Sequence, residues 1–514
     1  MAYFVGIDLG TTNIKAVVYD ASAGRVVDIA SRATPTHHPK SGWSEHDPEE
    51  MWRAVAFCLR AVIKGRQIDG AGISSMAEAG VAMDGDMNPL YPIIAWFDRR
   101  TEAQAAWWEA QLTLDEMHAI SGQRVSTSFG VTKWMWVRDN LPDAAERLKK
   151  WLSLPDYILW RLTGELATDY TIASRTLLFN QGSRDWSERM LELAELKKDQ
   201  LPPVFPGGTV VGKVSAQAHE TTGLPEGTPC VLGGQDHLCG ALAAGLYRPG
   251  MVIDSSGTAQ AVLMLLPEFI TSLKMAEQTY ACYASVLPGY YTLKGGLKAA
   301  GGGIAWVAKQ LTGLIPESNR LPYEQLEALA RKGVGKHAGP VWLPHLNGAG
   351  SPEGDRDSMG AMVGVNLNHD QGDIFRGFLE SLAFCLRKNV EEMSAISGQT
   401  VNQLVLVGGG TRLGLLSQLK SDVLGIPVQI PKLPEASATG AALLAGIGTG
   451  NFASPVEAVE SLRYEKQNLE PEQNRMRWYD DLYQRVYHPL YETLWQTNRA
   501  LKTIQLRVEP GDEA

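Results

Sequence analysis

Two short segments combine glycine, hydroxyl side chains and a carboxylate, a composition that suits a phosphate-binding turn. They are Asp8-Leu9-Gly10-Thr11-Thr12-Asn13 and Asp254-Ser255-Ser256-Gly257-Thr258. Successive backbone N–H groups in such a turn form an anion-binding concavity, and hydroxyls add donors for phosphate oxygens. A plain polar hairpin explains either segment alone. Two such turns in corresponding places can face each other and clamp a triphosphate.

The carboxylate of Asp8 adds a second kind of chemistry to the first turn. Mg²⁺ favours one or two carboxylates together with phosphate oxygens. Asp8 is therefore the candidate magnesium ligand, directly or through water.

A third glycine-rich segment follows an apolar run, at Val405–Thr411. A strand that leads into three glycines lets the backbone approach a flat ligand such as adenine and ribose. A helix beginning near Leu413 would direct its positive end at phosphates. The alternative is a tight strand–helix turn. The run Ala300–Ile304, with Gly301 and Gly302, is a weaker example of the same pattern.

A single acidic residue stands out at the end of another apolar run, in Gly233-Gly234-Gln235-Asp236-His237. In phosphoryl transfer the protein mainly positions groups, and one carboxylate accepts the proton of the attacking hydroxyl. Asp236 is the candidate for that base. The competing interpretation is an Asp that caps a helix starting at Leu238.

The elements that must position these residues repeat along the chain. Strands are predicted at Tyr3–Asp8 and Ile14–Tyr19, on either side of the first turn, and at Met251–Asp254 and Ala259–Leu266, on either side of the second. The two Gly-Thr pairs lie 247 residues apart, at positions 10 and 257. We therefore predict two halves of similar fold, at residues 1–247 and 248–514.

Further elements complete the prediction. Strand patterns are present at Arg25–Ala30, Gly70–Ser75 and Tyr290–Lys294. Helical spacing is present at Asp47–Ile63, with Pro48 at the first helical position. The stretch Gln473–Leu506 predicts a packing helix in the second half.

Bulk composition excludes several classes of protein. The formal charge is −10 over 514 residues, which argues against a nucleic-acid or anionic-membrane surface. Five cysteines, widely spread and without a C-x-x-C pair, argue against a disulfide framework or structural zinc site. No signal peptide and no apolar run long enough for a membrane span are visible. A cytoplasmic, soluble protein is expected.

Taken in order, the motifs resemble the FGGY family of carbohydrate kinases over nearly the whole chain. The segments that carry the resemblance are Asp8–Asn13, Ile94–Arg100, Thr132–Trp136, Leu154–Tyr157, Gly233–His237, Ser256–Thr258, Gly360–Glu380 and Gly408–Gly425. The resemblance implies an α/β protein with two ribonuclease H-like domains of the actin/hexokinase-like ATPase fold and a cleft between them. It also implies that the first domain holds most of the sugar and the second most of the nucleotide.

The resemblance also implies roles for individual residues. Asp236 matches the catalytic base, and Asp8 the Mg²⁺-associated carboxylate. Substrate contacts are implied for Ala77, Glu78, Trp96, Asp236 and His237. Contacts with ATP are implied for Gly10, Thr11, Thr12, Asn13, Gly257, Thr258, Gly301, Gly302, Gly409 and Gly410.

The identity of the acceptor is open at this stage. D-xylulose is expected from overall length and the motifs of the second half. Xylulokinases usually carry Met-His-Gly where this chain has Met76-Ala77-Glu78, and glycerol kinases carry Arg-Glu, of which only Glu78 is kept. Ribulose, glycerol, erythritol and gluconate are the alternative acceptors, and a homodimer is expected. An actin-like regulatory ATPase without a sugar acceptor is the alternative of a different class.

Overall fold

The computed structural model describes residues 2–311, 321–332 and 339–505. Its strands fall into two large sheets and several two-stranded pairs. In chain order they are β1 Tyr3–Leu9, β2 Asn13–Asp20, β3 Arg25–Ala33, β4 Glu45–His46, β5 Gly70–Ser75, β6 Gly80–Met83, β7 Ile93–Ile94, β8 Lys150–Ser153, β9 Thr168–Asp169, β10 Phe179–Asn180, β11 Asp185–Trp186, β12 Val204–Phe205, β13 Val210–Lys213, β14 Pro229–Gln235, β15 Met251–Ser256, β16 Gln260–Leu266, β17 Ala281–Ala284, β18 Tyr291–Gly295, β19 Val341–Leu343, β20 Ala361–Val363, β21 Gln403–Val407, β22 Val428–Pro431 and β23 Lys466–Leu469.

The helices connect and cover these strands. They are α1 Pro48–Ile63, α2 Glu102–Gln111, α3 Leu114–Ser121, α4 Gly130–Asn140, α5 Pro142–Arg147, α6 Leu154–Thr163, α7 Tyr170–Ser174, α8 Glu188–Ala194, α9 Ala216–Thr222, α10 Asp236–Ala244, α11 Leu273–Glu277, α12 Gly301–Leu311, α13 Tyr323–Arg331, α14 Gln371–Ser397, α15 Gly414–Leu424, α16 Ala436–Gly448, α17 Pro455–Glu460, α18 Gln473–Leu482 and α19 His488–Gln505. Short 3₁₀ turns lie at Lys198–Gln200 and Gly409–Arg412, and a π-helical turn at Tyr483–Tyr487 joins α18 to α19.

The two large sheets share one strand pattern. The first runs β13-β14-β5-β1-β2-β3, and the second runs β17-β18-β16-β15-β21-β22-β23. In the first, β14, β5 and β1 are parallel, while β2 and β3 follow in antiparallel pairs. In the second sheet, β22, β21 and β15 are parallel. There β16 pairs antiparallel with β15, and β18 pairs antiparallel with β16. The predicted repeat of strand, Gly-Thr turn and strand is thus part of a larger repeat of five strands.

Most predicted elements agree with the structure. Asp47 caps α1, where its side chain accepts hydrogen bonds from two backbone N–H groups, and Pro48 is the first helical residue. The predicted C-terminal helix is two helices joined by the π-helical turn, and its side chains Tyr479, Tyr483 and Tyr487 pack into the core of the second half. Residue 506, the predicted end of that helix, lies outside the described residues.

Two helices lie between the sheets and hold the halves together. α16 packs against β1, β5, β14 and α10, although it comes from the second half of the chain. α10 shares an apolar cluster with side chains of the second sheet, among them Ile253, Leu263 and Val405. Each half therefore supplies a helix that contributes to a core shared with the other half.

Glycine is required where α16 meets the first sheet. A Cβ at Gly6 would lie 1.8 Å from the carbonyl oxygen of Ala438, and one at Gly72 would lie 2.1 Å from that of Ala441. Backbone atoms cannot yield as a flexible side chain can. The close contact of helix and sheet therefore depends on these two glycines.

No helix within residues 2–311, 321–332 and 339–505 is long and apolar enough to cross a membrane.

Gly72→Ala is expected to lower the free energy of unfolding by about 1–3 kcal/mol, the usual cost of overpacking a close-packed interior. Urea denaturation measures the change. Gly85→Ala is the matched control, because a Cβ at Gly85 would meet nothing within 4 Å. Equal stability of the two variants would contradict the close contact.

Candidate active site

The ends of three parallel strands bring the predicted residues of the first half together. In the register of the sheet, Leu9 of β1 lies beside Ser75 of β5, and Ser75 lies beside Gln235 of β14. Because parallel strands present their carboxyl ends at one edge, the first Gly-Thr turn, the loop Met76–Ala79 and Asp236 all leave the sheet at that edge. The motifs of the sequence predict that these segments form one site.

The chain reaches Asp236 through a bulge in β14. The register with β5 shifts between Leu232 and Gly234, and Gly234 has φ +148°. A Cβ at Gly233 would lie 2.2 Å from the carbonyl oxygen of Ile73. The two glycines therefore allow the strand to press against β5 and then turn into α10.

Asp236 does not cap a helix that starts at Leu238. It is itself the first residue of α10, whose N-cap is Gln235. Its carboxylate accepts a hydrogen bond from the backbone N–H of His237 at 2.7 Å, and its carbonyl oxygen accepts one from the Ser437 hydroxyl of α16 at 3.0 Å. The carboxylate is half-buried at the strand edge, and the helix-cap interpretation is wrong.

Both carboxylates at this edge are harder to ionise than usual. Burial, followed by the nearby charge of Glu78, raises the pKa of Asp236 to about 7. Burial and then the charge of Asp236 raise the pKa of Asp8 to about 7, against the opposing effect of Lys15. Asp8 also accepts a hydrogen bond from the Ser74 hydroxyl at 3.3 Å. The charge of Asp236 is thus one of the causes of the raised pKa of Asp8.

Glu78 is held by a residue that the sequence analysis missed. The Arg175 Nε donates to Glu78 Oε1 at 2.6 Å, and Nη1 of the same guanidinium donates to Gln123. Glu78 is 9% exposed and has φ +70°, a strained conformation for a residue with a side chain. Such strain is typical of functional sites. Ala77, beside it, is buried.

The short helix α7 connects this ion pair to the base. Arg175 is its C-cap residue, and Asp169 is its N-cap. Within it, the Thr171 hydroxyl donates to Asp169 and accepts the backbone N–H of Gln235 at 2.8 Å. One turn of helix therefore positions both Glu78, through Arg175, and the backbone next to Asp236.

Trp96 links the predicted substrate wall to the predicted phosphate turn. Its Nε1–H donates to Thr11 Oγ1 at 2.8 Å, and its ring is 38% exposed. His237 follows Asp236 in the chain. Burial, followed by the charge of Lys294, lowers the pKa of His237 to about 4. His237 is therefore neutral near pH 7.

The second Gly-Thr turn has the same position in its sheet but different electrostatics. Asp254 is fully buried, and the ammonium of Lys420 lies 2.5 Å from its Oδ2. Lys420 also donates to Ser256 Oγ at 2.8 Å. Asp254 is thus neutralised within the protein, whereas no lysine or arginine of the described residues forms an ion pair with Asp8. Of the two carboxylates, only Asp8 remains available to a cation.

The remaining predicted glycines surround this second turn. The backbone N–H groups of Gly301 and Gly302 donate to the carbonyl oxygens of Gly257 and Thr258, at 2.9 and 3.0 Å. These two glycines therefore hold the turn at the start of α12. Gly257 and Thr258 themselves are exposed.

The run Gly408–Gly410 follows β21 at the same edge. A Cβ at Gly410 would lie 2.7 Å from the Cβ of Ser256, and Gly409 is exposed. α15 begins at Gly414 with Leu413 as N-cap, as the sequence predicts. Leu413 and Leu416, which depart from the xylulokinase pattern, are buried in the core and do not reach the surface of the site.

Arg175 and Lys420 escaped the sequence analysis for the same reason. Arg175 pairs with a residue 97 positions earlier, and Lys420 with one 166 positions earlier. Lys420 lies within the segment Gly408–Gly425 and Arg175 lies outside every segment that carries the resemblance, but neither position indicates a partner. A buried carboxylate needs a partner, but the sequence does not show which residue supplies the cation for Glu78 or Asp254.

The described residues contain no group of three or more His, Cys, Asp or Glu side chains arranged to hold a metal ion. Asp8 remains the kind of single carboxylate that Mg²⁺ uses when phosphate oxygens complete its coordination.

Comparison with known proteins shows the family. The N-terminal domain of the FGGY family of carbohydrate kinases matches residues 3–243, and the C-terminal domain of that family matches residues 253–449. The chain belongs to the FGGY family of carbohydrate kinases. The resemblance and the two-domain α/β fold of the actin/hexokinase-like ATPases, both expected from the sequence, are confirmed.

The similar proteins are named for different substrates. The glycerol kinase of Gloeobacter violaceus is 31% identical over 465 residues, 88% of this chain and 90% of that one. The glycerol kinase of Alcanivorax borkumensis is 32% identical over 482 residues, 91% and 93% of the two chains. Among solved structures, xylulose kinase from Rhodospirillum rubrum has a TM-score of 0.87 at 29% identity, covering 97% of this chain and 100% of its own.

The raised pKa values of Asp8 and Asp236 predict a pH dependence of phosphoryl transfer. A carboxylate must be ionised to bind a cation or to accept a proton, so activity should be lost as pH falls through about 7. The measurement is kcat/KM for ADP formation between about pH 5.5 and about pH 8.5, with the slope below pH 7 assigned to the pair rather than to either residue. A flat profile across that range would contradict the raised values.

Proposed function

We propose that the protein transfers the γ-phosphate of ATP to a hydroxyl of a small polyhydroxylated acceptor, with Asp236 as the catalytic base. One observation carries the proposal: a carboxylate with a pKa raised to about 7 lies at the same strand edge as a phosphate-type turn and the ion pair of Glu78 with Arg175. A base works best when its pKa is near the working pH.

The proposed reaction is a direct transfer between two oxygens. The acceptor hydroxyl approaches the γ-phosphorus opposite the bridging oxygen of ADP. As the new O–P bond forms, the bond between the γ-phosphorus and that oxygen breaks, and ADP leaves with the bonding electrons. The carboxylate of Asp236 takes the hydroxyl proton and becomes neutral. Neutral Asp236 is tolerated because burial already favours that form.

The proposed nucleotide site uses both sheet edges. Donors for phosphate oxygens come from both turns. The first turn supplies Gly10, Thr11, Thr12 and Asn13, and the second supplies Gly257 and Thr258. Gly301, Gly302, Gly409 and Gly410 let the backbone come close to the nucleotide. Asp8 would hold Mg²⁺, which supplies positive charge to the phosphate oxygens when bound.

The proposed acceptor pocket lies beside Asp236, at the edge where β1, β5 and β14 end. Its walls are Ala77, Glu78, Trp96 and His237, together with Arg175. An ionised Glu78, fixed by Arg175, is suited to accept hydrogen bonds from adjacent hydroxyls. D-xylulose, expected from the sequence and named in the similar structure, and glycerol, named in the relatives, are both acceptors to test.

A regulatory ATPase of the actin-like class is the second candidate. It explains the paired phosphate turns equally well. It does not explain the strained Glu78, its ion pair with Arg175 and the exposed Trp96, which together make a polar pocket with an aromatic wall. We therefore favour the kinase.

A coupled assay for ADP release tests the choice. The panel contains D-xylulose, D-ribulose, glycerol, erythritol and D-gluconate, each with ATP and Mg²⁺. A kinase is expected to release ADP at least about tenfold faster with one class of acceptor than without any. ADP release that no acceptor stimulates would favour the regulatory ATPase.

A further inference from the structure

The outer edge of strand β17 is bonded to the first half of the chain. β17 stands at one end of the second sheet, where it pairs with β18. The backbone N–H of Cys282 donates to the carbonyl oxygen of Gly122 at 2.9 Å, and that of Ala284 donates to Gln181 Oε1 at 2.9 Å. An edge strand presents backbone groups that need partners. Here the first half supplies partners to the second.

Gln181 connects this edge to the short helix α7. Its side chain is fully buried, and its Nε2 donates to the hydroxyl of Ser174 at 2.9 Å while its Oε1 accepts from Ala284. Its backbone carbonyl oxygen accepts a hydrogen bond from the hydroxyl of Tyr291, on β18, at 2.9 Å. One buried residue thus joins α7 to two strands of the second sheet.

The end of α7 that Gln181 holds is the end that carries Arg175. Ser174 is the last residue of the helix, directly before Arg175. A second buried amide acts here, because Gln123 Nε2 donates to the carbonyl oxygen of Ser174 at 2.8 Å and Gln123 Oε1 accepts from the Arg175 guanidinium. Arg175 in turn donates to Glu78. A continuous series of hydrogen bonds therefore runs from β17 to Glu78.

Helix α7 packs against both large sheets. It lies against β14 of the first sheet and β17 of the second. Its first turn is bonded to the first sheet, where the Thr171 hydroxyl accepts the backbone N–H of Gln235. Its last residue is bonded to the second sheet through Gln181. The ion pair of Glu78 with Arg175 therefore depends on contacts from both halves.

We propose that Gln181 is a positioning residue for acceptor binding. By fixing the end of α7 to β17, it sets the place of Arg175 and hence the direction in which Glu78 presents its carboxylate. The proposal rests on the proposed kinase function and adds a residue to its acceptor site. Hydrogen bonds weaken steeply when donor and acceptor are misaligned, so a small displacement of Glu78 weakens binding of a hydroxylated acceptor.

The variant Gln181→Met tests the proposal in the ADP-release assay. It keeps an unbranched side chain of similar length and removes both side-chain hydrogen bonds. We expect KM for the preferred acceptor to rise by about 5–30-fold, the effect of losing buried hydrogen bonds. KM for ATP and kcat should change by less than about threefold, because the lost contact orients the acceptor before and during transfer alike. An unchanged KM for the acceptor, or an equal rise in KM for ATP, would overturn the proposal.

The matched control is Gln104→Met. Gln104 is also a buried glutamine of the first half, but its Nε2 donates to Asp139 of α4 at 3.0 Å. Its loss removes a buried hydrogen bond without touching the end of α7. KM for the acceptor should stay unchanged in this variant. An equal rise in both variants would show a general loss of packing and contradict a specific role for Gln181.

A double-mutant cycle tests the same contact with a smaller change. Ser174→Ala removes the hydroxyl to which Gln181 Nε2 donates and leaves the bond of Gln181 with Ala284 in place. It should raise KM for the acceptor less than Gln181→Met does. The double variant should be no worse than Gln181→Met, because residues that act through one contact are not additive. Independent effects would contradict the proposal. If Gln181→Met does not fold, Ser174→Ala decides by its own KM.

The outcomes separate the two proposals. If an acceptor stimulates ADP release but its KM is unchanged in Gln181→Met and Ser174→Ala, the kinase function stands and the positioning role fails. If no acceptor stimulates ADP release, the kinase function fails and the positioning role fails with it.

Discussion

The close packing of α16 against the first sheet is the contact on which the arrangement of the site depends. At Gly6 and Gly72 the helix backbone touches the strands with no space for a side chain. The hydroxyl of Ser437, in the same helix, donates a hydrogen bond to the carbonyl oxygen of Asp236. Glu435, the residue that caps the start of this helix, forms an ion pair with Lys15 at 2.6 Å. Lys15 in turn influences the ionisation of Asp8. A helix from the second half of the chain thus fixes the carboxylates of the first half.

The buried carboxylates of the site differ in whether a cationic side chain pairs with them. Asp254 and Glu78 each have a cationic partner, and we propose a structural role for Asp254 and a substrate-orienting role for Glu78. Asp8 and Asp236 have none within hydrogen-bonding distance among the described residues, and their pKa values rise to about 7. The unpaired groups are the ones free to act on a ligand. Unpaired, perturbed groups in a cleft are the usual mark of a functional site.

The sequence predicted the parts of the site that are local and missed those that are not. Turns such as Asp8–Asn13 are visible because glycine and hydroxyl residues adjoin in the chain, and Asp236 is visible because it follows an apolar run. Asp8 and Asp254 stand in corresponding turns, but their surroundings differ in the structure, because Lys420 reaches Asp254 from 166 residues away. Arg175 carries no local signal for the same physical reason, because its partner Glu78 lies 97 residues away. Partners of buried charges are chosen by the fold.

The central claim is that Asp236 accepts the proton of the acceptor hydroxyl and does not serve mainly to bind the nucleotide. Asp236→Asn keeps the shape of the side chain and removes its basicity. Calorimetric titration with ATP and Mg²⁺, followed by single-turnover ADP formation with the preferred acceptor, measures both properties in one variant. The account predicts unchanged nucleotide affinity and a rate of transfer lower by about 10²–10⁴-fold. A rate close to that of the unsubstituted protein would contradict it.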